Sequence, residues 1–199
     1  DVYKRQYGDG RRPDEVEWGL SLSVDLSRRD LSMNSMALDV LKEVYYDPYG
    51  GFEDLQRKRI CAVGEPKLRL SEDALRILRT YRFMDQGVAG VWKPERGLAN
   101  ALRSTRSMLS KIAAERVWSE LKRILIGKNA SIILQQMADD GILRQIFNFD
   151  WMLDDYRISL LDSLEGNDAI DRLVILFRDA PSTAVSYTHL RAHETFANL

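Results

Sequence analysis

The chain has 199 residues, of which 45% are hydrophobic and 30% are charged, and its formal net charge is −1. These values predict a soluble globular protein, since no apolar run reaches the length of a membrane span and no signal peptide opens the chain. Cys61 is the only cysteine, which excludes an intramolecular disulfide and favours a reducing, cytoplasmic compartment.

Two terminal strings, residues 1–6 and 185–199, resemble translated linker sequence, and we expect them to lie outside the natural fold. Both histidines, His189 and His193, fall in the second string. The remaining chain then holds no histidine, which excludes a histidine-based triad and a histidine-ligated metal site. The same interpretation predicts that the natural protein continues beyond both ends.

Charge is unevenly distributed along the chain. Residues 8–56 and 129–184 each carry a net charge of −6, whereas residues 57–128 hold seventeen basic and seven acidic residues and carry +10. A basic segment between two acidic ones indicates a polyanionic partner, although a solvated helical surface gives the same pattern. The motifs decide between these two interpretations.

The first part of the chain predicts short strands and turns. Val16 and Trp18 alternate with polar residues as on a strand, residues 21–30 fit a short helix, and residues 43–46 favour a strand. The run 47–51 (DPYGG) is a turn or hinge signal, and a helix is expected directly after it.

The clearest helix signal covers residues 71–83, where Ser71 is the expected N-cap and acidic residues occupy the first turn. Asp73 and Arg76 lie three residues apart and therefore share one face, which alone indicates a surface ion pair. The apolar stripe lies elsewhere on the helix and consists of Ala74, Ile77, Leu78, Tyr81 and Met84.

After this helix the pattern is helical throughout. Further helices are expected at residues 94–110, 113–126, 131–139, 142–147, 154–164 and 169–178. The sequence therefore predicts an α+β fold that is mostly α. Residues 7–64 form its α+β part, residues 65–147 a helical part, and residues 148–184 further helices.

Four motifs stand out along the chain, namely an RRD segment at 25–37, a hinge segment at 47–55 with Asp47, Gly50 and Gly51, an EDxxR segment at 72–76, and an ER segment at 115–121. Their order and spacing resemble those of class II tRNA nucleotidyltransferases and the related bacterial poly(A) polymerases. The resemblance implies that residues 7–64 are the C-terminal part of a nucleotidyltransferase head, with short strands, and that residues 65–147 are an all-helical neck and body.

The resemblance assigns roles residue by residue. Asp73 and Arg76 would read the incoming base, and Asp30 would contact the ribose. The flanking arginines of the RRD segment would serve the triphosphate or hold the pocket. The full nucleotide-binding set that the resemblance implies, with ATP and CTP as substrates, is Arg28, Arg29, Asp30, Asn34, Asp73, Arg76 and Arg79.

The chemistry of the base-reading pair follows from its two side chains. Adenine and cytosine each present an amino donor beside a ring-nitrogen acceptor, so Asp73 can accept from the first and Arg76 can donate to the second. Guanine and uracil reverse this edge, and each buried polar group left unpaired costs about 1–3 kcal/mol. The pair therefore predicts selection of C and A without a nucleic acid template.

Transfer of a nucleotide in this family implies Mg²⁺, normally two ions held by carboxylates. The paired carboxylates of the family precede the segment that this chain contains. Glu17, between Val16 and Trp18, falls where the third carboxylate is expected, although an ordinary exposed strand residue fits equally well. We assign no other metal ligand and expect the 199-residue chain to be inactive, although its parent was an enzyme.

Basic residues on successive helices are candidates for tracking the phosphates of a tRNA acceptor stem by shape rather than by sequence. This interpretation requires that they share one side. The candidates are Arg103, Arg106, Lys111, Lys122, Arg123 and Lys128. Trp92, Trp118 and Trp151 are interpreted as core residues rather than as platforms for base stacking.

The sequence thus favours a template-independent RNA nucleotidyltransferase that adds C and/or A to tRNA 3′ ends. A poly(A) polymerase that acts on other RNA 3′ ends carries the same motifs and stays open, as do A-adding and CC-adding specialists. A non-catalytic helical RNA-binding module is the rival from a different class, and it would bind tRNA regardless of CTP or ATP. Neither a membrane nor a protein partner is inferred.

Overall fold

The computed structural model describes residues 3–7, 13–18, 21–148, 153–164 and 168–178, with the backbone only for the first two segments. Strands β1 (Tyr3–Tyr7) and β2 (Pro13–Trp18) pair in antiparallel fashion. Strand β1 begins within the terminal string 1–6, whereas the string 185–199 and Trp151 lie outside the described residues.

Residues 21–64, which we call the head segment, contain short elements. Helix α1 (Leu22–Ser27) is followed by a 3₁₀ turn at Ser32–Asn34, the antiparallel hairpin of β3 (Ala37–Asp39) and β4 (Val44–Tyr46), helix α2 (Gly51–Gln56) and strand β5 (Arg59–Ile60). Strand β5 pairs in parallel with β6 (Lys93–Pro94), which lies far along the chain. This pairing ties the head segment to the helices.

The described part of residues 65–178, which we call the helical segment, is helical as predicted. Helices α3 (Pro66–Glu72), α4 (Leu75–Met84), α5 (Arg96–Thr105), α6 (Ala114–Leu125), α7 (Ala130–Asp139), α8 (Ile142–Phe147), α9 (Asp155–Ser163) and α10 (Ala169–Phe177) follow in order, with a 3₁₀ helix at Arg106–Lys111. The fold is α+β and mostly α, which confirms the predicted class. No described helix has the length and apolarity needed to cross a bilayer.

The predicted single helix over 71–83 is wrong at its start. Asp73 has extended backbone angles (φ −150°, ψ 105°) and separates α3 from α4. Its Oδ1 accepts the backbone N–H of Leu75 at 3.0 Å, a local bond with which aspartate competes against helix continuation. Ser71 is not an N-cap, because it lies inside α3 and its hydroxyl donates to the carbonyl of Lys67 at 2.7 Å.

The apolar stripe of α4 forms the centre of the core, as predicted. Ile77, Leu78 and Tyr81 are fully buried, and α4 packs against α6 and α7. Ile60 of the head segment belongs to the same hydrophobic cluster. The head segment and the helical segment therefore share one core, which fixes the cavity between them.

The hinge segment forms a capped turn before α2. The carboxylate of Asp47 accepts the backbone N–H groups of Gly51 at 2.7 Å and Phe52 at 2.9 Å. Gly50 has a positive φ of 67°, which glycine adopts without strain. Gly51 lies so close to the carbonyl of Ser32 that a side chain has no room there. This turn packs α2 against the segment that follows Asp30.

Candidate functional site

A cavity of about 600 Å³ opens between the head segment and the helical segment. All seven residues of the predicted nucleotide-binding set line it, together with Asp25, Leu75, Phe83 and Arg116. Five arginines against three aspartates make the lining basic overall, which suits a polyphosphate ligand.

Asp30 is the most fully engaged carboxylate of this cavity. It is 7% exposed, its Oδ1 accepts from the Leu31 N–H at 2.9 Å and from Asn34 at 3.1 Å, and its Oδ2 accepts from Arg79 Nε at 2.6 Å. Burial raises the pKa of Asp30, but the Arg79 guanidinium and the other donors outweigh burial and hold that pKa below its ordinary value. Asp30 is therefore a fixed, charged acceptor.

Asp25 orients the two arginines of the RRD segment. Arg28 and Arg29 each donate to one of its oxygens, with Nη2–Oδ distances of 2.8 Å. Burial raises the pKa of Asp25, but the hydrogen bonds and charges of Arg29 and Arg28 lower it below its ordinary value. Both guanidinium groups keep partial exposure, so they are positioned at the cavity and still accessible to an anion.

Asp73 reaches the cavity from the break between α3 and α4. Its Oδ2 accepts from Arg116 Nη2 at 2.9 Å, and its side chain is 37% exposed. Arg116 belongs to the ER segment, so this contact links that motif on α6 directly to the EDxxR motif. Since a carboxylate has about four lone-pair sites, Asp73 can accept a further donor from a ligand.

Arg76 does not pair with Asp73, so the surface ion pair that the spacing alone indicated does not form. Its Nη1 donates to Glu72 Oε2 at 2.6 Å and to the carbonyl of Arg69 at 2.8 Å. Its Nη2 donates to the carbonyl of Arg28 at 2.8 Å. Arg76 is thus held between α3 and the end of α1, with its side chain 17% exposed.

Phe83 carries two cationic neighbours at the edge of the cavity. The guanidinium carbons of Arg82 and Arg79 lie 4.6 Å and 5.7 Å from the centre of its ring. Arg82 in turn donates to the buried carboxylate of Glu120 at 2.7 Å. Phe83 therefore supports the arginines of α4 at the cavity wall.

Half of the predicted RNA-binding set has acidic or carbonyl partners within the protein. Arg103 pairs with Asp140 at 3.1 Å, Arg123 lies 3.5 Å from Glu120, and Arg106 donates to the carbonyl of Arg103.

The other three candidates, Lys111, Lys122 and Lys128, are exposed and form no ion pair within the described part of the chain. They lie at the end of the 3₁₀ helix, on α6 and in the turn between α6 and α7.

The described side chains do not supply a Mg²⁺ site on their own. Among them, no cluster of three or more acidic, cysteine or histidine side chains is close enough to hold a metal ion. The aspartates of the cavity are instead engaged by arginines. Glu17 lies in β2 with its Cα opposite that of Lys4, and its side chain is outside the described part.

Two known protein families match this chain, one in its first part and one in its helical segment. Residues 2–61 match the family described as "Poly A polymerase head domain". Residues 93–149 match the family described as "Probable RNA and SrmB- binding site of polymerase A". The chain belongs to the family of class II CCA-adding enzymes and poly(A) polymerases. The EDxxR segment of this family member lies between the two matched regions.

Relatives of this family are similar over most of the chain. A CCA-adding enzyme of Ligilactobacillus salivarius is 41% identical over 138 residues, which are 69% of this chain and 33% of that protein. The mitochondrial CCA tRNA nucleotidyltransferase 1 of Danio rerio is 39% identical over 134 residues, 67% of this chain and 31% of that protein. The chain spans about a third of the length of these curated relatives.

The fold agrees with solved structures of the same kind. A structure described as a tRNA-processing enzyme with CTP superimposes with a TM-score of 0.71 at 22% sequence identity. The superposition covers 86% of this chain and 51% of the other. This likeness supports the head and helical body that the motifs predicted.

Sequence reasoning missed three residues that shape the cavity. Asp25 stands three and four positions before its arginine partners, a helical spacing that signals such a contact. Phe83 has no sequence signal of its own, because one aromatic residue on a core helix forms no distinctive pattern. Arg69 makes contacts across long sequence separations, which no local pattern reveals.

Proposed function

We propose that this chain forms the nucleotide-selecting and RNA-binding part of an enzyme that adds C and A to tRNA 3′ ends without a template. The observation that carries the proposal is the convergence of all seven residues of the predicted nucleotide-binding set on one basic cavity. The relatives named as CCA-adding enzymes and the similar structure with CTP support it.

Base selection is assigned to Asp73 and Arg76. The exposed carboxylate of Asp73 accepts the exocyclic amino group of cytosine or adenine, while Arg76 donates to the adjacent ring nitrogen. With uracil or guanine, an acceptor faces an acceptor and a donor faces a donor. Each such mismatch costs about 1–3 kcal/mol, which disfavours both bases.

The remaining cavity residues bind the rest of the nucleotide. Arg28 and Arg29, oriented by Asp25, bind the triphosphate through charge-assisted hydrogen bonds. Asp30 accepts from the ribose. Mg²⁺, when bound, supplies charge neutralisation and activation of the attacking 3′-hydroxyl, and Glu17 stays our candidate for one ligand.

The RNA 3′ end is proposed to lie against the helical segment. The exposed Lys111, Lys122 and Lys128 are suited to phosphate contacts that ignore sequence. We expect the 199-residue chain to bind nucleotide and tRNA but not to transfer CMP or AMP with Mg²⁺ present. Robust incorporation by this chain would contradict that expectation.

A poly(A) polymerase is the second candidate, because both matched families are described in terms of polymerase A. The two functions differ in substrate. A CCA-adding protein binds CTP as well as ATP and prefers tRNA that lacks its 3′ end. A poly(A) polymerase prefers ATP and does not distinguish tRNA from other RNA 3′ ends.

The test is titration of the chain with CTP and with ATP, in the presence and absence of tRNA, for the wild type and for Asp73→Ala. We expect Asp73→Ala to weaken CTP binding about tenfold, the effect of losing one hydrogen bond to a charged acceptor. Arg116→Ala is the comparison variant, because it removes the same ion pair and one cavity arginine but keeps the carboxylate, so CTP should still be preferred over UTP in it. A chain that binds tRNA but neither nucleotide, with no effect of Asp73→Ala, is an RNA-binding module, and the proposal fails.

A further inference from the structure

We propose that Arg69 is a positioning residue that locks the base-reading Arg76 in place and thereby sets selectivity against uracil and guanine. The inference rests on the proposed function and extends it to a residue that does not line the cavity. Arg69 lies in α3, before the EDxxR segment, and its role follows from its contacts.

Arg69 uses three guanidinium nitrogens on three separate parts of the chain. Its Nη2 donates to the carbonyl of Ser27 at 2.7 Å, and its Nε donates to the carbonyl of Val63 at 3.0 Å. Its Nη1 donates to Glu72 Oε2 at 2.8 Å. The side chain is 15% exposed, so these bonds are largely shielded from water. Arg69 therefore joins the end of α1, the linker before α3 and the end of α3.

Glu72 connects Arg69 to Arg76, because it accepts hydrogen bonds from both side chains. The same oxygen, Oε2, accepts from Arg69 Nη1 and from Arg76 Nη1, the latter at 2.6 Å. Glu72 is itself 52% exposed, so packing does not fix its carboxylate, and the two arginines must hold it. The backbone carbonyl of Arg69 also accepts from Arg76 Nη1. Both acceptors of that nitrogen thus come from the Arg69–Glu72 pair.

As a result, Arg76 has few N–H groups left and little freedom to rotate. An arginine has five N–H donors, and Arg76 uses three of them on Glu72, Arg69 and Arg28. The N–H of Nε and one N–H of Nη2 are left for a base. A fixed donor cannot turn away from the N3–H of uracil, so the clash between two donors persists. A loosened arginine can rotate and relieve it.

Lysine cannot replace Arg69 in this role. One ammonium group on a flexible stem cannot bridge three acceptors that lie in fixed directions, although it keeps the positive charge. Both substitutions keep the backbone carbonyl at position 69 but free the Glu72 carboxylate, so Arg69→Lys and Arg69→Gln are both expected to loosen Arg76. Lys67→Gln is the matched control, since Lys67 is an exposed cation two residues away on α3.

The experiment measures the affinities of the chain for CTP and UTP by competition, well below the melting temperature of each variant. We expect the CTP-to-UTP affinity ratio to fall about tenfold in Arg69→Gln and Arg69→Lys, and to stay unchanged in Lys67→Gln. A purely structural role for Arg69 changes both affinities by the same factor and leaves the ratio intact. That result would overturn the inference.

Glu72→Gln covers the case in which the Arg69 variants do not fold. It alters a half-exposed side chain, and it removes the charge that both arginines share. The same fall in the ratio is expected, and an unchanged ratio in this variant contradicts the inference. If the wild type itself binds UTP as well as CTP, the proposed function fails, and the assignment of Arg69 falls with it. A selective wild type with a ratio insensitive to these variants rejects only the inference.

Discussion

Arg79 on α4 donates a 2.6 Å hydrogen bond from its Nε to the buried carboxylate of Asp30, 49 residues earlier in the chain. This ion pair joins the head segment to helix α4 at the cavity wall. It explains why the RRD and EDxxR motifs, which are remote in sequence, line one cavity. The same contact gives Asp30 a role in stability beside its proposed role at the ribose.

Asp30→Asn should lower the free energy of unfolding by about 2 kcal/mol, because it removes the charge that Arg79 pairs with inside the protein. Urea unfolding of both proteins at pH 7 measures this change. Glu53→Gln is the control, since its partner Arg57 is exposed and such pairs contribute about 0–1 kcal/mol. Equal losses in the two variants would show that the Asp30–Arg79 pair contributes no more to the free energy of unfolding than an exposed ion pair does.

The stability of the chain should depend on pH in the acid range. Burial raises the pKa values of Asp25, Asp30 and Asp54, but their arginine and other hydrogen-bond partners lower them below the ordinary 3.8. A carboxylate with a lowered pKa in the folded state stabilises fully above its unfolded pKa, and that stabilisation is lost as pH falls through the folded pKa.

Unfolding free energies measured between pH 7 and pH 3 should therefore be flat down to about pH 5 and fall below about pH 4. Asp30→Asn removes one titrating group and should make the fall shallower. A stability that rises on acidification would contradict this assignment of charge.

The two glycines of the hinge segment should respond differently to alanine. A Cβ at Gly51 would lie 2.8 Å from Met36 Sδ and closer still to the carbonyl of Ser32, so Gly51→Ala should cost about 2–3 kcal/mol. Gly50 has open space around it, so Gly50→Ala should lower the free energy of unfolding only through the strain of its positive φ, by about 1–2 kcal/mol. Thermal unfolding of the two variants checks the order, and a larger loss at Gly50 would refute the packing argument.

Charge reversal should have different effects on the exposed lysines and on the paired arginines of the proposed RNA surface. Lys122→Glu should weaken tRNA binding and reduce the slope of log K against log salt by about 1, because Lys122 is exposed and has no described ion-pair partner.

Arg103→Glu should mainly destabilise the fold, since it leaves Asp140 beside an acidic neighbour and disturbs the Tyr81–Asp140 hydrogen bond of 2.7 Å. Filter binding over a range of salt concentrations, together with a melting curve, distinguishes the two effects. An unchanged tRNA affinity and salt slope in Lys122→Glu would count against this surface.

The helices could be predicted because their signals are local. The apolar stripe from Ala74 to Met84 is buried as its spacing predicts, and α6 begins and ends within one residue of its predicted bounds. The break at Asp73 was missed, because residues 71–83 satisfy the helical pattern on both sides of it. Only the local hydrogen bond to Leu75 reveals that the chain restarts there.

The residues predicted to bind nucleotide do line one cavity, but the sequence did not predict their partners. The residue types of Asp73 and Arg76 suggest a direct pair, whereas the fold gives them Arg116 and Glu72 as partners. Arg116 comes from a helix 43 residues away, and such a contact is set by packing rather than by spacing. For the same reason, Arg69 stood out only through its contacts with Ser27 and Val63.

Competition among the four nucleoside triphosphates for the wild-type chain measures base selection by Asp73 and Arg76. We expect CTP and ATP to bind with similar affinity, and UTP and GTP to bind at least about tenfold more weakly, because two polar mismatches meet at Asp73 and Arg76. Equal affinity for all four nucleotides would contradict base reading by this pair. The cavity would then be a triphosphate site without selectivity.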